Sequence, residues 1–189
     1  MLSWTTMPYK TAQMKKLLSL IAAITLVFTA QAQNESTLPL GAPAPDFSAA
    51  DTLGTQYSLS DFADRLVVVD FWASWCGDCR REMPALKQLY ADYKDRGVTF
   101  LSVSFDTDAE AWKRTLRKQQ FGWLQVSNLL PWHTKVDGVS KTTNPIAADY
   151  DLKWIPTLYL VDHGTLVATD VTVEAFEPKL REHLDKISK

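Results

Sequence analysis

The chain contains two cysteines, and two residues separate them: Cys76-Gly77-Asp78-Cys79. Leu66-Val67-Val68-Val69-Asp70-Phe71-Trp72, just before them, is nearly continuous β-branched and aromatic sequence, as a strand buried on both faces requires. Helical periodicity follows from about Cys76. On the first turn of a helix, this spacing brings the two sulfurs within bonding reach. The N-terminal cysteine then meets unpaired backbone N–H groups and the positive end of the helix dipole. Both favour thiolate over thiol, and the thiolate is the nucleophile of disulfide exchange. Cys79, more enclosed, can attack the resulting mixed disulfide from within. A disulfide closing so small a loop adds little stability, so an inert staple explains the pair poorly. A tetrahedral metal site needs further ligands, and His133, His163 and His183 show no clustered spacing. We expect no metal and no cofactor beyond the redox-active cysteine pair.

Several neighbours bear on this chemistry. Asp70 is an acid inside an apolar run; burial without a partner is costly and would raise its pKa. The alternative is a polar partner at the strand end. Glu82 follows Cys79 by three residues and can share its helix face; the alternative is a surface ion pair with Arg81 or Lys87. Asp78 puts a carboxylate close to Cys76, which opposes thiolate formation. Trp72 reads as core packing, and Trp75 as a shield and contact surface. Trp112, Trp123, Trp132 and Trp154 read as core or loop anchors.

The elements that must position these residues follow from the rest of the chain. It has 189 residues, 46% hydrophobic and 22% charged, which is globular composition. Its 20 Lys+Arg against 22 Asp+Glu leave no positive excess, so nucleic acid is not an expected partner. Met14-Lys15-Lys16 is basic, Leu17 to Ala30 is uncharged and largely apolar, and Ala30-Gln31-Ala32 is a small-x-small site. That order reads as a secretory signal peptide cleaved after Ala32, too short in its apolar part to span a membrane. Residues 1–13 fit no targeting pattern, and Met14 reads as the true start. We therefore read 1–32 as leader and signal peptide, 33–45 as a flexible lead-in, and 46–189 as the folded domain. Cleavage would remove Lys10, Lys15 and Lys16 and no acid, leaving a more acidic exported protein.

Two short strands are expected between Asp46 and Leu59 around the turn former Asp51-Thr52-Leu53-Gly54, then a brief helix capped by Ser60-Asp61. The helix from Cys76 should run to about Asp95, kinked at Pro84 and ended by Gly97. Val98 to Phe105 reads as a second buried strand. Asp106-Thr107-Asp108 can cap a helix running to about Gln119, and Trp123 to Val126 reads as a short strand. Pro131 to Pro145 reads as a loop, and Ile146 to Tyr150 as one or two helical turns. Thr157 to Val161 and Leu166 to Val173 read as a hairpin through Asp162-His163-Gly164, and Glu174 to Ile187 as a closing helix. This order implies an α/β fold with a mixed sheet and helices on both faces.

Val69-Asp70-Phe71-Trp72-Ala73-Ser74-Trp75-Cys76-Gly77-Asp78-Cys79 resembles the active-site strand and turn of the thioredoxin superfamily, and Trp154-Ile155-Pro156-Thr157 resembles its second signature. Gly41-Ala42-Pro43-Ala44-Pro45-Asp46-Phe47, Leu59-Ser60-Asp61-Phe62, Glu82 and Pro84 are similar to the exported TlpA/ResA-like thiol-disulfide oxidoreductases. The resemblance covers about residues 41–189. It implies a thioredoxin-like fold, a central mixed β-sheet flanked by helices, with an N-terminal β-hairpin extension. It also implies a cis Pro156 opposite the cysteines, which turns the Ile155 backbone toward extended substrate chains; a trans proline opening an edge strand is the alternative. Asp70 becomes the proton acceptor for Cys79, and Glu82 a second proton carrier. Trp75, Gly77, Asp78, Ile155 and Pro156 become the substrate contacts. Many relatives carry proline where this chain has Asp78, so no redox potential transfers. The expected activity is reduction of protein disulfides in the periplasm, with cytochrome c maturation as one setting. Disulfide-containing protein clients and a membrane electron donor of thiol-disulfide type are the expected partners, and a monomer the expected state. The opening segment is also peroxiredoxin-like, which leaves a thiol-dependent peroxidase as an alternative. A copper chaperone on the same fold is another, although such proteins resemble CxxxC with a distal histidine.

Overall fold

The computed structural model describes residues 38–188. The leader, its cleavage site and the first part of the lead-in lie outside the described residues.

β1 (Ser48–Ala50) and β2 (Gln56–Ser58) form the expected N-terminal hairpin. Asp51 closes its turn by accepting from the Leu53 and Thr55 N–H groups at 2.8 and 2.9 Å. A 3-10 turn, Leu59–Phe62, follows, with Asp61 reaching back to the Ser58 N–H at 2.7 Å. β3 (Leu66–Trp72) is buried along its whole length. It leads into α1 (Gly77–Tyr93), then β4 (Val98–Ser104), α2 (Ala109–Gln119) and β5 (Leu124–Ser127). After β6 (His133–Val136), β7 (Val139–Thr142) and α3 (Pro145–Asp149) come β8 (Thr157–Asp162), β9 (Thr165–Asp170) and α4 (Val173–Ile187).

Seven strands make one mixed sheet in the order β2-β1-β5-β4-β3-β8-β9. β3, β4 and β5 are parallel neighbours, while β8 and β9 run antiparallel on the other side of β3. β3 alternates its burden, as the two-residue period of a strand requires. Leu66 and Val68 meet Leu86, Leu89 and Tyr93 of α1 and Phe176, Leu180 and Leu184 of α4. Val67, Val69 and Phe71 belong to the opposite core, with Trp112 of α2, Ile146 of α3, Tyr150 and Tyr159. This is the thioredoxin-like layering expected from the sequence, with the β1–β2 hairpin extending the sheet.

Two local expectations are corrected. Residues 41–44 of the lead-in are pinned beside β9: the Gly41 N–H donates to Leu166 O, Leu166 N–H to Ala42 O, and Ala44 N–H to Gly164 O, at 2.7–2.9 Å. Residues 131–145 are not a plain loop, because β6 and β7 pair as a separate two-stranded sheet. Asp137 and Gly138 make its turn, both with positive φ, which is the two-residue hairpin chemistry. The strands alternate little between apolar and polar, so periodicity did not reveal them. As the sequence places it, Pro84 lies inside α1, which continues through it. Arg80, whose carbonyl loses its helical donor there, and Pro84 both lie on the exposed side, where water can satisfy the freed oxygen.

Candidate active site

The parallel strand β3 ends at the centre of the sheet and the chain turns directly into α1. Cys76 is the N-cap of that helix: its Sγ accepts from the Cys79 N–H at 3.0 Å. Cys76 and Cys79 are joined by a disulfide, and they are 6% and 3% exposed. The placement on the first helical turn follows the spacing argument, and it sets the Cys76 sulfur against the positive end of the α1 dipole.

The Ile155–Pro156 peptide is cis. The Ile155 carbonyl oxygen lies 3.4 Å from Cys76 Sγ. Pro156 leads into β8, which pairs with β3 on one side and β9 on the other, so the edge-strand alternative fails. Trp75 is 55% exposed at the mouth of the site. Trp154, read as a core or loop anchor, is instead exposed on the segment that carries Ile155. The pair presents two aromatic surfaces from the two segments that flank the disulfide.

A narrow cavity of about 10 Å³ lies behind Cys79, on the order of one water molecule. Asp70, Cys79, Glu82 and Pro156 line it together with apolar residues including Met83 and Val173. The structure therefore gathers both expected acids, the buried cysteine and the cis-proline around one space. Asp70 is 5% exposed, and burial pushes its carboxyl up to about 7 against the partial relief of a hydrogen bond from Ser102 Oγ to Oδ2 at 2.9 Å. Both sequence alternatives for Asp70 are thus partly realised: it is buried, and it has one polar partner. Glu82 is not paired with Arg81 or Lys87. Its Oε2 accepts from the Val173 N–H, at the first residue of α4, at 2.9 Å, where an acid suits the helix N-terminus.

Asp78 differs from expectation in its setting. It forms an ion pair with Arg81 one turn on, so it meets the cysteines as half of a pair rather than as a bare negative charge. Arg81 is well exposed, and solvent screens the pair. Gly77 follows Cys76 directly, and the Arg80 guanidinium donates to the Ser74 carbonyl at 3.0 Å, closing the loop before it.

Asp106 was read as part of a helix cap, but Asp108 fills that role by accepting from the Glu110 and Ala111 N–H groups. Asp106 turns inward, 2% exposed, and accepts from the Ser74 N–H at 2.9 Å, the Ser74 hydroxyl at 2.5 Å and the Ser104 hydroxyl at 2.7 Å. It ties the end of β4 to the loop just before Cys76. Asp106→Asn puts an amide where donors converge on an acceptor. We expect a loss of about 2–4 kcal/mol in urea unfolding. A change under about 0.5 kcal/mol, the range of ordinary surface substitutions, would show that the cluster does not anchor the loop.

Among the described residues, no group of three or more His, Cys, Asp or Glu is placed to hold a metal ion. His163 and His183 flank Asp162 at 2.6 and 2.9 Å, at the end of β8 opposite Pro156. No described helix is long and apolar enough to cross a membrane.

Comparison with known proteins adds three findings. A model of the AhpC/TSA family matches residues 40–169. The thiol-disulfide oxidoreductase ResA of Geobacillus kaustophilus is 30% identical over 174 residues, which is 90% of this chain and 91% of that protein. ResA of Bacillus anthracis is 28% identical over 82% of each chain. Among solved structures, the thioredoxin domain of a thiol-disulfide oxidoreductase from Bacteroides vulgatus superimposes with a TM-score of 0.66 at 31% identity, covering 78% of this chain and 99% of that one. A thiol-disulfide oxidoreductase from Bacteroides fragilis gives 0.65 at 30% identity, covering 75% and 98%.

Proposed function

The chain belongs to the AhpC/TSA family of thioredoxin-like proteins and is a thiol-disulfide oxidoreductase; from this premise we propose that it reduces disulfides of protein clients in the periplasm. The observation that carries the reading is the Cys76–Cys79 disulfide at the α1 N-terminus, facing cis-Pro156 with a buried carboxyl behind it.

In the dithiol form, the Cys76 thiolate attacks one sulfur of a client disulfide, and the other client sulfur leaves as a thiolate. Asp70 takes the proton of the Cys79 thiol through the narrow cavity, with Glu82 as a second carrier at its rim. Cys79 sulfur then attacks Cys76 Sγ, releasing the second client thiol and closing the Cys76–Cys79 disulfide. Two electrons pass to the client, and a membrane donor of thiol-disulfide type returns them. Trp75, Gly77, Asp78, Ile155 and Pro156 are the surfaces against which an extended client chain lies. Periplasmic location is supported by the basic, apolar and small-residue order of the leader. Maturation of c-type cytochromes is the first client process to examine.

The direction is tested by the reduction potential of the cysteine pair, equilibrated with glutathione or dithiothreitol. A value near about −270 mV supports a reductant; one near about −120 mV makes the protein an oxidant and overturns the proposed direction.

A further inference from the structure

The parallel register sets Asp70 of β3 beside Ser102 of β4 and Ser102 beside Gln125 of β5, a polar row in the middle of an apolar sheet. Two indoles close it. Trp72 Nε1–H donates to Gln125 Oε1 at 3.2 Å, and Trp123 Nε1–H donates to Ser102 Oγ at 2.8 Å. An indole nitrogen can only donate, so Ser102 Oγ must accept from Trp123. The one hydroxyl proton of Ser102 is then committed to Asp70 Oδ2. Asp70 Oδ1 accepts no hydrogen bond from a described residue, and Asp70 lines the cavity shared with Cys79.

Trp123 is itself held. Its ring centroid lies 4.9 Å from those of Tyr90 and Phe121 and 6.0 Å from that of Phe100. The Tyr90 hydroxyl donates to the Gly122 carbonyl at 2.6 Å, and a Cβ at Gly122 would come within 2.8 Å of the Tyr90 ring. Glycine lets the tyrosine close over the backbone beside Trp123.

We propose that Ser102 and Trp123 are positioning residues for proton transfer at the cysteine pair: Trp123 orients the Ser102 hydroxyl onto Asp70 Oδ2, leaving Oδ1 as the oxygen that exchanges a proton with Cys79 through the cavity. The inference rests on the reading of Asp70 as the proton acceptor. The other titratable groups lining the cavity, Cys79 and Glu82, both come from α1; the turn before β8, β8 itself and α4 contribute only Pro156, Leu158 and Val173.

The test follows the Asp70 carboxyl by carbon-13 NMR titration in the oxidised protein, where Cys79 carries no proton. Ser102→Ala should raise the proton affinity about tenfold, since a donor to the ionised oxygen is lost. Trp123→Phe keeps a ring and loses the N–H, and should shift it the same way by less. The double variant should match Ser102→Ala alone, because the indole acts only through the hydroxyl. Ser102→Thr should restore the wild-type midpoint. In the reduced protein, the pH dependence of the Cys79 resolving step should move with the carboxyl. An unchanged midpoint in Ser102→Ala, additive shifts in the double variant, or a resolving step that ignores the carboxyl shift each overturns the proposal. Loss of disulfide exchange in the unaltered protein overturns the functional reading instead, and the carboxyl titration still reads out the Ser102 and Trp123 effect.

Discussion

Cys76→Ser abolishes disulfide exchange, reducing turnover of a disulfide substrate such as insulin to background, while the protein stays folded. The fold survives because serine is among the best N-cap residues. Its hydroxyl oxygen can take over from Cys76 Sγ the hydrogen bond that now comes from the Cys79 N–H. The chemistry does not survive, because exchange needs a thiolate at the position that meets the client first. Cys79 cannot substitute: it is 3% exposed, behind Cys76 and against the cavity. The complementary variant, Cys79→Ser, keeps the first attack and loses resolution. It should accumulate a mixed disulfide between Cys76 and the client, visible by mass spectrometry as a covalent adduct removed by dithiothreitol. Retained turnover in Cys76→Ser, or failure of Cys79→Ser to accumulate the Cys76 adduct, would contradict the assignment of nucleophile and resolving residue.

Asp70→Asn should slow the resolving step and at the same time stabilise the protein above neutral pH. The kinetic half follows from removing the acceptor of the Cys79 proton; a positioned acid–base group is worth roughly 10²-fold or more. The stability half follows from the carboxyl itself. Its ordinary value is 3.8, and burial pushes it up to about 7 in the folded protein. The folded state therefore binds this proton more tightly than the unfolded state does. Stability contributed by the neutral carboxyl is present below the unfolded value and is lost as pH rises through the folded one. Asparagine is neutral throughout. Its advantage over Asp70 should be near zero around pH 3 and grow through the window between the two values. Above pH 8 it should reach a plateau on the order of 4 kcal/mol. Urea unfolding at several pH values measures the difference. A difference that stays flat with pH would mean that Asp70 is not a buried, proton-binding carboxyl.

The cysteine and Asp70 variants also separate what each half of the site does. Cys76 owes its reactivity to a local arrangement, a cap position read directly from the spacing of two cysteines after a strand. Asp70 owes its behaviour to neighbours brought from elsewhere in the chain. Its acidic type inside Leu66–Trp72 already marked it as costly to bury, but its partner Ser102 lies 32 residues away and was not foreseen. The same holds for Glu82. Its helical spacing from Cys79 placed it near the pair, while its actual bond to the Val173 N–H spans 91 residues. Asp106 misled for the opposite reason: the run Asp106-Thr107-Asp108 offers two acids for one cap, and only packing against Ser74 decides which of them turns inward.

The sequence by itself determined the chemistry and the framework: the cysteine pair, the buried strand feeding a helix, the β1–β2 and β8–β9 hairpins, and the paired motifs around Cys76 and Pro156. The cysteine pair, the strand and the hairpins depend on side-chain period, turn residues and spacing, all local along the chain; the Pro156 motif was legible through its resemblance to the thioredoxin superfamily. Tertiary structure alone decided how the site is tuned. It aligned Asp70, Ser102 and Gln125 across three strands and fixed Ser102 with an indole 21 residues on. Strand register and side-chain direction set those contacts, and both are settled only when distant segments pack against one another.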